Sequence, residues 1–128
     1  MKTEDKEAKF RYGIAEFERR KYRRYPVSLP IEYYRADSPV NQSGQTLDAS
    51  EGGLQVLFPE QMDIGQHLKM KLFFSSEAKL NIIDTIVEVV WINTQLGEGE
   101  DHYRSGLRFI SISPEDMDKL KNLLTSLS

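Results

Sequence analysis

Residues 68–74 read Leu-Lys-Met-Lys-Leu-Phe-Phe, and residues 82–92 read Ile-Ile-Asp-Thr-Ile-Val-Glu-Val-Val-Trp-Ile. In the first stretch Leu68, Met70, Leu72 and Phe74 alternate with Lys69, Lys71 and Phe73, the period of two that turns one side of a β-strand inward. The second is the longest apolar run of the chain and is predicted to be a strand containing Trp91. Outward from this pair the same signal recurs. Tyr103 to Ile110 reads as the last strand, separated from Trp91 by a solvated turn at Leu96 to Asp101. Upstream, Leu54, Val56 and Phe58 share one side of a strand, which follows a segment begun at Gln45 to Asp48 and broken at Gly52-Gly53. Val27, Leu29, Ile31 and Tyr33 alternate with Ser28, Pro30 and Glu32. Proline has no N–H to donate, so that strand is expected at an edge or with a bulge at Pro30. The stretch from Asp37 to Gly44, rich in Asp, Ser, Pro, Asn and Gly, reads as a turn.

After the last strand the period changes. Ser113-Pro114-Glu115-Asp116 starts a helix, with Ser113 as N-cap, Pro114 at the first helical position and Asp116 placed to complete a capping box. Met117, Leu120, Leu123, Leu124 and Leu127 form its apolar stripe. About six short strands at near-regular spacing, closed by one C-terminal helix, predict a small antiparallel barrel. Residues 1–17 read as an N-terminal extension, frayed or carrying a short amphipathic helix on Phe10, Ile14 and Phe17.

Composition narrows the chemistry. The chain has 128 residues, 39% hydrophobic and 29% charged, which fits one domain with a core of its own. It has no cysteine, so disulfides, thiolate nucleophiles and Cys-ligated metals are excluded, and its two histidines, His67 and His102, stand far apart. No run of 18 apolar residues and no signal-peptide core is present, so a cytoplasmic protein without membrane insertion is expected. Glu98, Glu100, Asp101 and His102 lack the spacing of a calcium loop and read as a hairpin tip. No phosphate-binding glycine loop and no defensible Ser–His pair exists, so no enzyme activity has a motif behind it.

The net charge of −3 is unevenly divided. Residues 1–18 carry −1, residues 19–35 carry +5 and residues 36–128 carry −7. Five of the six residues Arg19-Arg20-Lys21-Tyr22-Arg23-Arg24 are cations. Such a local concentration points to a compact anion site and away from a face long enough to follow a nucleic-acid duplex. Guanidinium forks bind phosphate bidentately and match the O6 and N7 acceptors of guanine. The plainer reading is a solvated basic linker. A second cluster, Asp48-Ala49-Ser50-Glu51-Gly52-Gly53, supplies a carboxylate and a hydroxyl suited to the Watson–Crick edge of guanine, with glycines that allow close backbone approach. Its plainer reading is a serine turn and a bulge glycine within a hairpin.

In this order, with a strand between them, the two clusters resemble the PilZ domain, a bacterial receptor module for cyclic di-GMP. The resemblance covers about residues 18–127. Arg20 and Arg24 match the family's RxxxR, and Asp48, Ser50 and Gly53 match its D/N-x-S-x-x-G. Glu18-Arg19-Arg20, Tyr25-Pro26-Val27, Gly53-Leu54, Val90-Trp91 and Gly106-Leu107-Arg108-Phe109 follow its usual pattern. The resemblance implies a six-stranded antiparallel β-barrel with a C-terminal helix over residues 18–128. It implies cyclic di-GMP as the ligand, no metal, and Arg19, Arg20, Arg24, Asp48, Ser50 and Gly53 as the ligand-binding residues. Ordering of the arginine segment would relay the signal to a protein effector, in a monomer or homodimer, in motility or biofilm control. The alternative from a different class is a PilZ-like adaptor of pilus, flagellar or exopolysaccharide systems that ignores nucleotides. Trp91, in a strongly apolar strand, reads as a core or rim residue before a ligand contact.

Overall fold

A computed structural model describes residues 21–38, 40–93 and 103–128. Its elements are β1 (Tyr25–Pro26), β2 (Pro30–Arg35), β3 (Gln42–Ala49), β4 (Gly53–Phe58), β5 (His67–Ser76), β6 (Lys79–Ile92), β7 (Tyr103–Ile112) and α1 (Pro114–Leu127). All pairings are antiparallel, in the order β3-β2-β5-β6-β7-β4, and β4 returns to pair with β3. That return closes a six-stranded barrel, leaving β1 as an additional short strand beside the end of β3. The expected N-terminal helix, the Leu96–Asp101 turn and the cluster ending at His102 lie outside the described residues.

Alternation in sequence becomes alternation in burial. Leu68, Met70, Leu72 and Phe74 of β5, Ile83, Val87 and Val89 of β6, and Leu54, Val56 and Phe58 of β4 all point inward. Each such side chain contributes about 1.5–3 kcal/mol when fully removed from water. Tyr33 joins this core with its ring edge-on to Phe58, centroids 4.9 Å apart. Its hydroxyl donates to Glu60 Oε2 at 2.8 Å, and Glu60 also accepts from Arg35 at 2.7 Å and from Gln42 at 3.0 Å. A polar bundle therefore caps this side of the core with every partner engaged.

The strand expected from Val27 to Tyr33 is two pieces. Thr46, fully buried on β3, reaches into the interruption: its Oγ1 accepts from Leu29 N and donates to Val27 O, both at 2.8 Å. Backbone bonds from Val27 N to Leu47 O and from Thr46 N to Leu29 O flank it. The irregularity thus falls just before Pro30. Pro30 opens β2 opposite Gln45, while the β5 ladder starts only at Ile31, so the missing N–H breaks nothing. The turn expected from Asp37 to Gly44 is shorter than its composition suggests, because Gln42, Ser43 and Gly44 already pair with Tyr33, Glu32 and Ile31.

The β5–β6 hairpin turns through Glu77 and Ala78, both at positive φ (53° and 62°), the geometry of a two-residue turn that usually recruits Asn or Gly. On α1, Ser113 caps the helix by accepting from Asp116 N at 3.1 Å. Asp116 does not complete the expected capping box. Its carboxylate instead accepts from Asp84 N at 3.3 Å, and Lys119 donates to Ile82 O at 3.1 Å. Two helix side chains therefore saturate the part of β6 that β7 does not reach, which protects an otherwise open strand edge. Leu120, Leu123 and Leu124 are buried beneath the helix, Met117 packs against the core from its rim, and Leu127 is exposed.

Candidate ligand-binding site

The register of four strands sets out one row on the outer face of the barrel. Asp48 of β3 faces Gln55 of β4, Gln55 faces Gly106 of β7, and Gly106 faces Trp91 of β6. Bulges between Thr46 and Asp48 and between Val89 and Trp91 bring Asp48 and Trp91 onto this face. The inward neighbours Leu54, Leu107 and Val89 make the core row directly alongside.

Arg24, in the segment leading into β1, completes the acidic end of the row. Its guanidinium lies 2.8 Å from Asp48 Oδ1, while Gln55 Nε2 donates to Asp48 Oδ2 at 2.7 Å. The Arg24 and Asp48 side chains are 23% and 17% exposed, so the pair is sheltered yet reachable. Arg24 Nε is buried with no hydrogen-bond partner among the described residues. A charged donor left in that state lacks the partner that buried polar groups normally have. Arg19 and Arg20 lie outside the described residues.

Ser50 has a different role from Asp48. It is 3% exposed, and its Oγ accepts from Gly52 N at 3.1 Å and Gly53 N at 3.2 Å. Its own N–H donates to Gly53 O at 2.9 Å. This is the serine-turn geometry that the sequence allows as the plainer reading, and it shapes the β3–β4 connection. Gly53 is explained by packing: a Cβ there would stand 1.9 Å from Leu107 O. Its glycine is required by the close approach of β7. Gly52 carries the ring of Tyr22, since a Cβ at 52 would meet Tyr22 Cδ2 at 2.9 Å. Phe109 N donates to Gly52 O at 3.0 Å and pins the turn to β7.

Trp91 is half-buried on the outer face, not in the core. Its indole lies over Gly106, where a Cβ would come within 2.0 Å of Nε1. The sequence carried this signal in the Gly106 to Phe109 pattern, but only the register shows that the glycine is the seat of the tryptophan. Arg108, two residues along β7, is held by Glu88 at 2.8 Å from Nε. On the other side of the arginine segment, Lys21, Tyr22, Arg23 and Tyr25 face Lys121, Leu124 and Thr125 of α1 across a groove. Arg23 stacks on Tyr25 with 5.6 Å to the ring centroid. Among the described residues no group of three or more His, Asp or Glu is arranged to hold a metal ion. No helix of the described residues is long and apolar enough to cross a membrane.

The PilZ domain family model matches residues 18–126, and the chain belongs to that family. By sequence, no curated protein matches it. Among solved structures it is similar to the Bacillus subtilis inhibitor of motility MotI/DgrA (TM-score 0.67, 18% identity, 84% of this chain and 52% of that one). It is equally similar to the PilZ domain of Escherichia coli YcgR with c-di-GMP (TM-score 0.67, 20% identity, 85% of this chain and 91% of that one). A third is the K. pneumonia MrkH–c-di-GMP complex (TM-score 0.66, 20% identity, 85% of this chain and 51% of that one). The chain thus spans about half of MotI and MrkH but nearly all of the isolated YcgR domain.

Proposed function

We propose that the chain is a receptor for cyclic di-GMP, with residues 18–128 as the receptor domain and 1–17 as an extension. The observation that carries this reading is the Arg24–Asp48 contact, which brings one residue of each motif onto the same outer face. Two solved relatives in fold are complexes with c-di-GMP, which supports the same ligand. Cyclic di-GMP offers two phosphodiester charges and two guanines. Arg24, with a buried Nε still lacking an acceptor among the described residues, suits a phosphate or the O6/N7 edge. Asp48 has lone pairs left on both oxygens for the N1–H and N2–H donors of guanine. Trp91, three strands along the same row, offers a ring face to a base, a contact worth about 1–3 kcal/mol.

Arg19 and Arg20 would join from the preceding segment. Ser50 and Gly53 would act by shaping the turn that carries Asp48 rather than through a free hydroxyl. Ligand entry exchanges the internal Arg24–Asp48 pair for contacts to the nucleotide. Exposed or half-exposed pairs contribute only about 0.2–1 kcal/mol, so the exchange leaves room for the ~8 kcal/mol of micromolar binding. Repositioning of residues 19–24, which face α1 across the groove of Tyr22 and Lys121, would then pass the signal to a protein effector.

The test is titration calorimetry of the folded protein with cyclic di-GMP and, separately, cyclic di-AMP. Micromolar or tighter binding of the first, loss of it in Arg24→Ala and Asp48→Asn, and little binding of the second are expected. No heat at ligand concentrations near a millimolar would end the receptor reading. The adaptor reading has one observation in its favour: without ligand, Arg24, Asp48 and Ser50 already find partners inside the chain. It predicts a captured partner whose retention is unchanged by added cyclic di-GMP.

A further inference from the structure

We propose that Gln55, which belongs to neither motif, is the positioning residue that fixes the Asp48 carboxylate for the ligand; the proposal rests on the receptor reading above. Asp48 is held at two points of different character. Arg24 grips Oδ1 from the loop before β1, and Gln55 grips Oδ2 at 2.7 Å from the neighbouring strand. Asp48 and Gln55 are direct partners in the β3–β4 ladder, where side chains of one face stand closest. The second hold is therefore set by barrel register and does not depend on the arginine segment.

This difference matters when a ligand arrives. An arginine that turns toward phosphate must release Oδ1, and Asp48 is sheltered enough that an unheld carboxylate would swing or lose its remaining hydrogen bond. Gln55 keeps the carboxylate plane fixed through that exchange. It also leaves lone pairs on both oxygens directed outward, where the paired N1–H and N2–H donors of a guanine can meet them. The amide suits this place better than a charged group. A lysine or arginine would compete with the ligand's own cation partner, and a carboxylate would repel Asp48. Gly106, across the ladder from Gln55, presents no side chain that could draw the amide away from Asp48.

Two substitutions separate positioning from a merely structural role. Gln55→Met keeps length and volume and removes the donor. Gln55→Glu restores a donor only when the introduced carboxyl is protonated. The charged groups around position 55 are Asp48 and Arg24 on one side, with Arg104 and Arg108, two residues either side of Gly106, on the other. Beside Asp48, the introduced carboxyl should hold its proton at higher pH than an isolated glutamate.

Cyclic di-GMP affinity is measured by calorimetry from pH 4.5 to 8 for the wild type, both variants and Asp48→Asn, with melting temperatures alongside. Gln55→Met is expected to weaken binding tenfold or more at every pH while moving the melting temperature by only a few degrees. Gln55→Glu is expected to be as weak at pH 8 and to recover toward wild type as pH falls to about 5. If the wild type and Asp48→Asn behave as the receptor reading requires but Gln55→Met binds within threefold of wild type, the positioning role is wrong and the receptor reading stands. A uniform loss in Gln55→Glu with no recovery at low pH also overturns it. If the wild type does not bind the nucleotide, both fall together.

Discussion

Replacing Gly53 by alanine separates two explanations of the same motif glycine, one based on ligand approach and one on strand packing. The Cβ would stand 1.9 Å from Leu107 O, 1.5 Å short of the 3.4 Å at which ordinary contact begins, and 3.0 Å from Arg108 Cα. Both obstacles are backbone, so no rotamer change relieves the overlap. The strands must part along a pairing that runs from Gly53↔Arg108 to Phe58↔Tyr103. Overpacking of a well-filled site costs about 1–3 kcal/mol, and with strand separation added we expect the top of that range. For a domain of this size that is a fall in melting temperature of about 9–15 °C. Two other glycines calibrate the measurement. At Gly65, where φ is +91° but nothing lies within 4 Å, alanine should cost about 1 kcal/mol through backbone strain alone. At Gly52 the obstacle is the Tyr22 ring, a side chain that can move, so alanine should cost less than that. Urea denaturation of ligand-free protein gives all three values. A Gly53→Ala protein within 0.5 kcal/mol of wild type that has nonetheless lost its ligand would refute the packing explanation.

Two further expectations concern the site and the core. Gly106→Ala should expel the indole of Trp91, because the new methyl would overlap the ring by more than 1 Å. As the chain has one tryptophan, its fluorescence should shift to the red in the variant and lose any quenching by cyclic di-GMP, and an unchanged spectrum would contradict the stacked geometry. The Tyr33 phenol is pushed well above its ordinary value, first by burial, then by its hydrogen bond to Glu60 and that group's negative charge, with Arg35 opposing. A phenol whose folded pKa is raised contributes stability that is complete below the unfolded value near 10 and is lost as pH climbs past it. Stability followed by denaturation from pH 9 to 11 should therefore fall more steeply for wild type than for Tyr33→Phe; parallel curves would count against the buried Tyr33–Glu60 bond.

Much of the fold was legible because its signals are local. Period-two runs such as Leu68 to Phe74 and Leu54 to Phe58 declare both a strand and its inward face, and Ser113-Pro114 declares a helix start. The signals failed where a side chain from a distant strand decides the geometry. Nothing near Val27 shows that Thr46 will divide the strand there, and Glu77-Ala78 carries none of the residues that usually mark a two-residue turn. Asp116 has the spacing of a capping box, yet Asp84 N draws it to β6.

For the site the division has the same cause. Residue type and spacing determined that Arg20, Arg24, Asp48, Ser50 and Gly53 form the motifs, because anion and guanine chemistry depend on functional groups that can be read one at a time. Only the closed barrel decided that Arg24 meets Asp48, that Ser50 folds its hydroxyl into a turn, and that Gly53 is empty for the sake of Leu107. Gln55 and Trp91 enter the site through cross-strand register, a relation between residues 7 to 51 positions apart that no local pattern encodes.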